Sequence, residues 1–337
     1  MKNMYFITAL SLFVLAGCSY NEAGSPDVSG VKAEIWATMN DSQSQTRAYG
    51  KTWEDGDYIG VTVGSTNEVR STNIKYQYAG TENSPFIPAE ANTDIYVRAS
   101  AEVPATAYYP YNGENGTAPG ILDISTETAY QVPEEQSKID YMFAKTTTSI
   151  SNPQINLAFE HMMSQVVFEL NATDKETTIS NLAFKLEGVA TTGTFDTATG
   201  TVSPKEEKGE ISTPELSGVT TASLILVPQT VTGVNIEILL NNVYYLAKVE
   251  TLTLEPKYKY TYTIALDNTE EVPTLSFTGV TITDWTNSNP IEITAEKSIP
   301  EIKPITVNDA PAWGAGDEQS TEADKKQETT ASDKTEF

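Results

Sequence analysis

A chain of 337 residues is long enough for two ordinary domains, and a hydrophobic fraction of 39% is enough to build their cores. With 46 acidic against 21 basic residues the net charge is -25, which argues against a phosphate-binding face for nucleic acid and equally against a polybasic membrane patch. One cysteine and one histidine exclude an intrachain disulfide, a cysteine metal cluster and a paired-histidine metal site.

Residues 1–17 read Met-Lys, an apolar run from Met4 to Leu15, then Ala16-Gly17. That is the shape of a bacterial secretory signal. "LAGC" at 15–18 resembles a lipobox, in which Cys18 is acylated and becomes the new N-terminus. An ordinary signal peptide or a short anchor is the other reading, but the run is too short to span a bilayer well. Acyl chains on Cys18 would hold the protein at a membrane by roughly 0.8 kcal/mol per buried methylene. Residues 18–30 then read as a flexible tether.

From residue 31 strand signals recur, rich in Thr, Tyr, Val and Ile and punctuated by Gly and Pro. The first, "VKAEIWATM", alternates with period 2: Val31, Ala33, Ile35, Ala37 and Met39 share one face. It dissolves into a polar loop holding Arg47, one of three arginines. "DYIGVTV", "NIKYQYA", "DIYVRAS", "ATAYYPY" and "DYMFAKT" follow, and "TTTSISNP" (146–153) reads as a linker. A second series starts at "QINLAFE" and "SQVVFELNA". It includes a hairpin closed by Asn241-Asn242, residues that tolerate the positive φ of a type I′ turn. "EHMMS" gives one turn of helical pattern. "YKYTYTIAL" and "TLSFTGVTITDW" close the set. The reading is all-β: an N-terminal sandwich over 31–150, a C-terminal sandwich over 151–297, and an acidic, largely disordered tail over 298–337.

Candidate chemistry is sparse. His161 in "LAFEHMMSQVVF" is the only histidine a catalytic triad could use, there is no Gly-x-Ser-x-Gly elbow, and its plainer role is structural. "TWEDGD" (52–57) lacks the ligand pattern of an EF-hand and reads as a turn carrying Trp53 into the next strand. A two-carboxylate glycosidase is not excluded in so acidic a chain, but no pair stands out. No catalytic, metal or cofactor residue is assigned.

Five features in order resemble the fimbrillin family, the type V pilins, in its Mfa-like branch. They are the lipobox ending at Cys18, "TRAYGKTWEDGDYIGV" (46–61), "YYPY" followed by "DYMFA", "LAFEHMMSQVVFEL", and "TITDW". The resemblance covers about residues 1–297 and leaves the tail outside. It implies two transthyretin-like β-sandwich domains, export as an outer-membrane lipoprotein, and polymerisation into a surface fimbria with copies of itself or other fimbrial subunits. It also implies cutting by an arginine-specific protease in the loop after the first strand, here between Arg47 and Ala48. The first strand would leave, and a C-terminal strand of the next subunit would fill the apolar groove. Burial of the first strand is then worth on the order of 5–10 kcal/mol as an upper estimate. "NPIEITAEKSI", with Ile291, Ile293 and Ala295 alternating, is the first candidate donor, and "EIKPITV" beyond it the second. A permanent core strand is the plainer reading of 31–39. The alternative function is a monomeric lipoprotein that binds a glycan or another ligand on a host or bacterial surface, with Trp53, Trp285 and Trp313 as stacking platforms.

Overall fold

The computed structural model describes residues 30–39, 53–64, 71–81, 84–172, 178–267 and 273–285, and the strand at 302–305. The first half holds β1 (Val31–Lys32), β2 (Glu34–Met39), β3 (Tyr58–Val63), β4 (Ser71–Gln77), β5 (Ile87–Pro88), β6 (Tyr96–Val97), β7 (Val103–Tyr109), β8 (Ile121–Ser125), β9 (Met142–Thr148) and β10 (Gln154–His161). The second holds β11 (Ser164–Ala172), β12 (Leu182–Val189), β13 (Thr192–Asp196), β14 (Val202–Pro204), β15 (Gly209–Ser212), β16 (Thr221–Leu226), β17 (Gln229–Leu240), β18 (Val243–Leu254), β19 (Tyr258–Asp267), β20 (Thr274–Asp284) and β21 (Ile302–Ile305). The one described α-helix, α1, is a single turn at Pro133–Gln136. It is not at "EHMMS", where His161 ends β10 and the Met162 N–H bonds the Tyr141 carbonyl.

In the first half a seven-stranded sheet runs β2-β10-β9-β7-β3-β4-β5, and an antiparallel bridge between Ile35 and Phe86 brings its two ends together. The sheet therefore curls around one core of Ile35, Ile59, Val61, Tyr76, Phe86, Ile95, Ile155, Leu157 and Phe159. Two expectations are corrected here. β10, assigned from sequence to the second domain, pairs with β2 and β9 and buries Ile155, Leu157 and Phe159 in the first core. The linker expected at 146–153 is the end of β9 and a tight Ser149–Asn152 turn into β10. Its threonines are β-branched and pair with β7, so polarity misled where side-chain shape did not.

The second half is a sandwich of a four-stranded sheet, β16-β11-β19-β20, on a five-stranded one, β15-β12-β17-β18-β21. Phe168 and Phe184 stack between them at 4.3 Å. Asn241 and Asn242 adopt φ of 49° and 64° in the β17–β18 hairpin, as the type I′ reading requires. Within the segment expected to be a disordered tail, β21 pairs antiparallel with β18, with Pro304 on the sheet's edge where its missing N–H is tolerated. A three-stranded sheet, β14-β13-β8, joins the halves, because β8 pairs with β13 across the seam. Gln131 adds a clamp: its amide donates to the Ile225 carbonyl at 2.9 Å and its oxygen accepts from the Ile225 N–H at 2.9 Å.

Many of the tyrosines are interior. Burial pushes the Tyr76, Tyr108 and Tyr260 hydroxyls up to about 12. A raised pKa favours the neutral phenol in the fold, so this stability is complete below the ordinary value of about 10 and is lost as pH rises through about 12. A phenolate absorbance titration should therefore show surface tyrosines ionising near pH 10 and these three only with unfolding, near pH 12.

Candidate functional site

β2 is held from both edges and from above. On one edge it runs parallel to β10, from Glu34 opposite Gln154 to Met39 opposite Phe159. The Glu34 N–H donates to the Pro153 carbonyl at 3.3 Å. The other edge carries the backbone groups of alternate residues 33, 35 and 37, and these meet three separate segments. The Ala33 N–H donates to the Ile95 carbonyl at 2.8 Å, and the Phe86 N–H donates to the Ile35 carbonyl at 2.7 Å. The third partner is a side chain: the Trp53 indole N–H donates to the Ala37 carbonyl at 3.0 Å.

Inward, Ile35 is 0% exposed and Ala33 is buried, while Ala37 and Met39 are partly buried against the same core. Val31 departs from the expected pattern. It lies in β1 opposite Val97, in a two-stranded patch at the margin, and is 41% exposed. The burial energy of this segment rests mainly on Ile35 and falls to the lower end of the range given above.

Trp53 is placed by its own motif. Glu54 to Asp57 form a turn in which the Glu54 N–H donates to an Asp57 carboxylate oxygen at 2.8 Å and Gly56 takes φ +99°. The Tyr109 hydroxyl donates to the other Asp57 oxygen at 2.8 Å. Hence "TWEDGD" is a turn that aims a tryptophan, as its composition suggests, and the Asp57 carboxylate is occupied in doing so. The Trp53 contact to β2 was not legible, because a backbone acceptor leaves no mark in sequence. The nearest signal is the Gly-Asp turn directly after the tryptophan.

Cys18, Arg47, Ala48, Ile291, Ile293, Ala295 and Trp313 lie outside the described residues. Of the second candidate donor, the stretch Ile302–Ile305 is β21, seated on its own chain. His161 is 3% exposed, with Nδ1 2.8 Å from the Asp140 carboxylate and its ring stacked on Trp285 at 4.2 Å. It thus pins "DYMFA", "EHMMS" and "TITDW" together at the seam. Trp53 and Trp285 are both at least nine-tenths buried, which removes them as sugar platforms.

Comparison with known proteins follows this geometry. A model of the fimbrillin-like family matches residues 46–285. A Bacteroides uniformis protein described as a fimbrium subunit, Fim1C, is 29% identical over 211 residues, covering 59% of this chain and 67% of its own length. A crystal structure of a cell adhesion protein from Bacteroides ovatus is 26% identical with a TM-score of 0.65, over 76% of this chain and 98% of that one. Another, from Bacteroides uniformis, shares the fold at 23% identity and a TM-score of 0.59, over 76% and 99% of the two chains.

Proposed function

The chain belongs to the fimbrillin-like family, and on that premise we propose that it is a structural, non-catalytic subunit of a cell-surface fimbria that polymerises by strand replacement. It is exported as an outer-membrane lipoprotein anchored through Cys18. An arginine-specific protease cuts between Arg47 and Ala48, β1 and β2 leave with the anchor, and a strand of the next subunit takes their place.

The observation that supports this most is the position of β2. It fills a complete strand slot, bonded on both edges, with Ile35 fully buried. Yet β1 and β2 precede every other described strand, so one cut between Met39 and Trp53 severs them from the fold. Once vacated, the slot exposes one edge of β10, the Phe86 N–H, the Ile95 carbonyl and the Trp53 indole N–H, together with an apolar floor. Unpaired backbone beside apolar surface is unstable in water and takes up a strand. A strand that reproduces the bonds of β2 runs parallel to β10. Ile291, Ile293 and Ala295 supply the inward alternation, and β21 is a second source, already at a sheet edge.

The test is the N-terminus and intact mass of the protein taken from the surface of its native cells, with gels run before and after boiling. A chain beginning at Ala48, in ladders that collapse on boiling, is the expected result. Chains that all begin at acylated Cys18 and run as monomers would overturn the mechanism.

A further inference from the structure

Trp53 stands in for a missing strand. Alternate carbonyls of β2 at 35 and 37 point to the same edge. The one at 35 meets the Phe86 N–H, but the two described residues that precede Phe86, Ser84 and Pro85, lie in no strand and carry no ladder. The next acceptor, Ala37, would lie unpaired at the rim without the indole N–H at 3.0 Å. The ring has little freedom. It is 9% exposed and meets Phe86 at 5.2 Å, Tyr109 at 5.5 Å and Phe159 at 5.2 Å, all edge-on. Those three rings come from the segment before β5, the end of β7, and β10, so the donor is fixed by parts of the fold that do not move with β2.

We propose, resting on the reading of β2 as a removable strand, that Trp53 is the latch of the groove. Its indole N–H sets how slowly a seated strand leaves, and it favours occupants long enough to reach the position of Ala37. The two backbone partners at Ile95 and Phe86 hold any strand that covers positions 33 to 35. The third bond is made only by one that extends two residues further. Trp53→Phe keeps an aromatic ring in the cluster and removes the donor, leaving a carbonyl without its partner.

The experiment uses the full chain with Arg70→Lys and Arg98→Lys, nicked at Arg47 by an arginine-specific protease, so that every part of the protein is present. Release of the severed N-terminal segment that ends at Arg47 is followed, and then rebinding of synthetic peptides spanning 30–40 and 30–36. With Trp53→Phe the segment should leave about tenfold faster, and the 30–40 peptide should bind about tenfold more weakly. The 30–36 peptide, which stops short of Ala37, should bind both forms equally. Equal release rates, or an equal loss for both peptides, would overturn the latch, the second result meaning general damage to the groove. A nicked chain with Trp53 intact that never releases its first segment would overturn the removable-strand reading itself, and the latch with it. Should the variant fail to fold, proton exchange at the Trp53 indole of the uncut protein decides. It should exchange together with the β2 amides, and free exchange while those amides stay protected would overturn the proposal.

Discussion

Replacing Ile35 with alanine should lower the unfolding free energy by about 2–5 kcal/mol, while Val31→Ala should change it by less than about 0.5 kcal/mol. Both residues lie on the same face of the same nine-residue apolar alternation, so sequence gives no reason to separate them. The structure does. Ile35 is fully buried where β2, β10 and the Phe86 segment meet, and the deleted atoms leave a cavity beside its cross-strand neighbours Ile155 and Phe86, which are fixed in other segments. Val31 pairs with Val97 in a marginal two-stranded patch, and its side chain already meets water. Denaturant unfolding of the uncut chain measures both. Equal costs would mean that backbone pairing, not the buried isoleucine, holds the first segment. The functional consequence has a definite sign. If β2 must leave before assembly, Ile35→Ala subunits polymerise faster once cut, because less is lost when the strand departs. A permanent core strand would give the opposite, a subunit that assembles poorly because it is damaged.

How much of this was legible depended on whether a residue's partner was local. Period-2 alternation marks a face, so the inward set Ala33, Ile35, Ala37 and Met39 could be read directly. It does not say which sheet a strand joins. β10 alternates Ile155, Leu157 and Phe159 as any sandwich strand would, and its parallel pairing with β2 spans most of the first half of the chain. The short strand β8 was invisible because it buries only Ile124 deeply and leaves Ile121 69% exposed, deriving its order from β13 in the other half. Asn241-Asn242 was read correctly because a two-residue turn depends on its own backbone preferences. The site divides the same way. The slot's occupant was visible as a strand and the Trp53 turn as a turn, but the bond between them joins an indole to a carbonyl, and any residue supplies a carbonyl. Lys185 shows where alternation and charge alone mislead. In "AFKLEG" it alternates as an outward residue, yet it is 5% exposed and sits among three glutamates.

That lysine carries the second large effect. Lys185→Met should cost about 3–5 kcal/mol at neutral pH, because it keeps the hydrocarbon stem and removes only the charge that pairs a buried carboxylate. Lys185 Nζ lies 3.0 Å from Glu187, 3.1 Å from Glu237 and 3.5 Å from the more exposed Glu210. Glu237 stands directly opposite Lys185 on β17 and is 1% exposed. Burial pushes the Glu237 carboxyl above its ordinary value against the pull of Lys185. Burial also acts upward on Glu187, but hydrogen bonds from Lys185 and Asn235 outweigh it and hold that carboxyl below the usual range. The signs follow. Glu187 contributes stability above the ordinary carboxyl pKa that is lost as pH falls through its lower folded value. Glu237 favours the fold at low pH and loses that contribution as pH rises through its raised value. Taking away the lysine removes the downward pull on both, so the deficit of Lys185→Met should be small near about pH 4 and largest near about pH 7. Adding Glu237→Gln should recover most of the loss, since a neutral amide no longer leaves a charge buried without its partner. Adding Glu187→Gln instead should recover less, because that side chain is 31% exposed and water already compensates it. A deficit flat in pH, unrelieved by Glu237→Gln, would mean that the ammonium group itself contributes nothing and that methionine simply packs badly between β12 and β17.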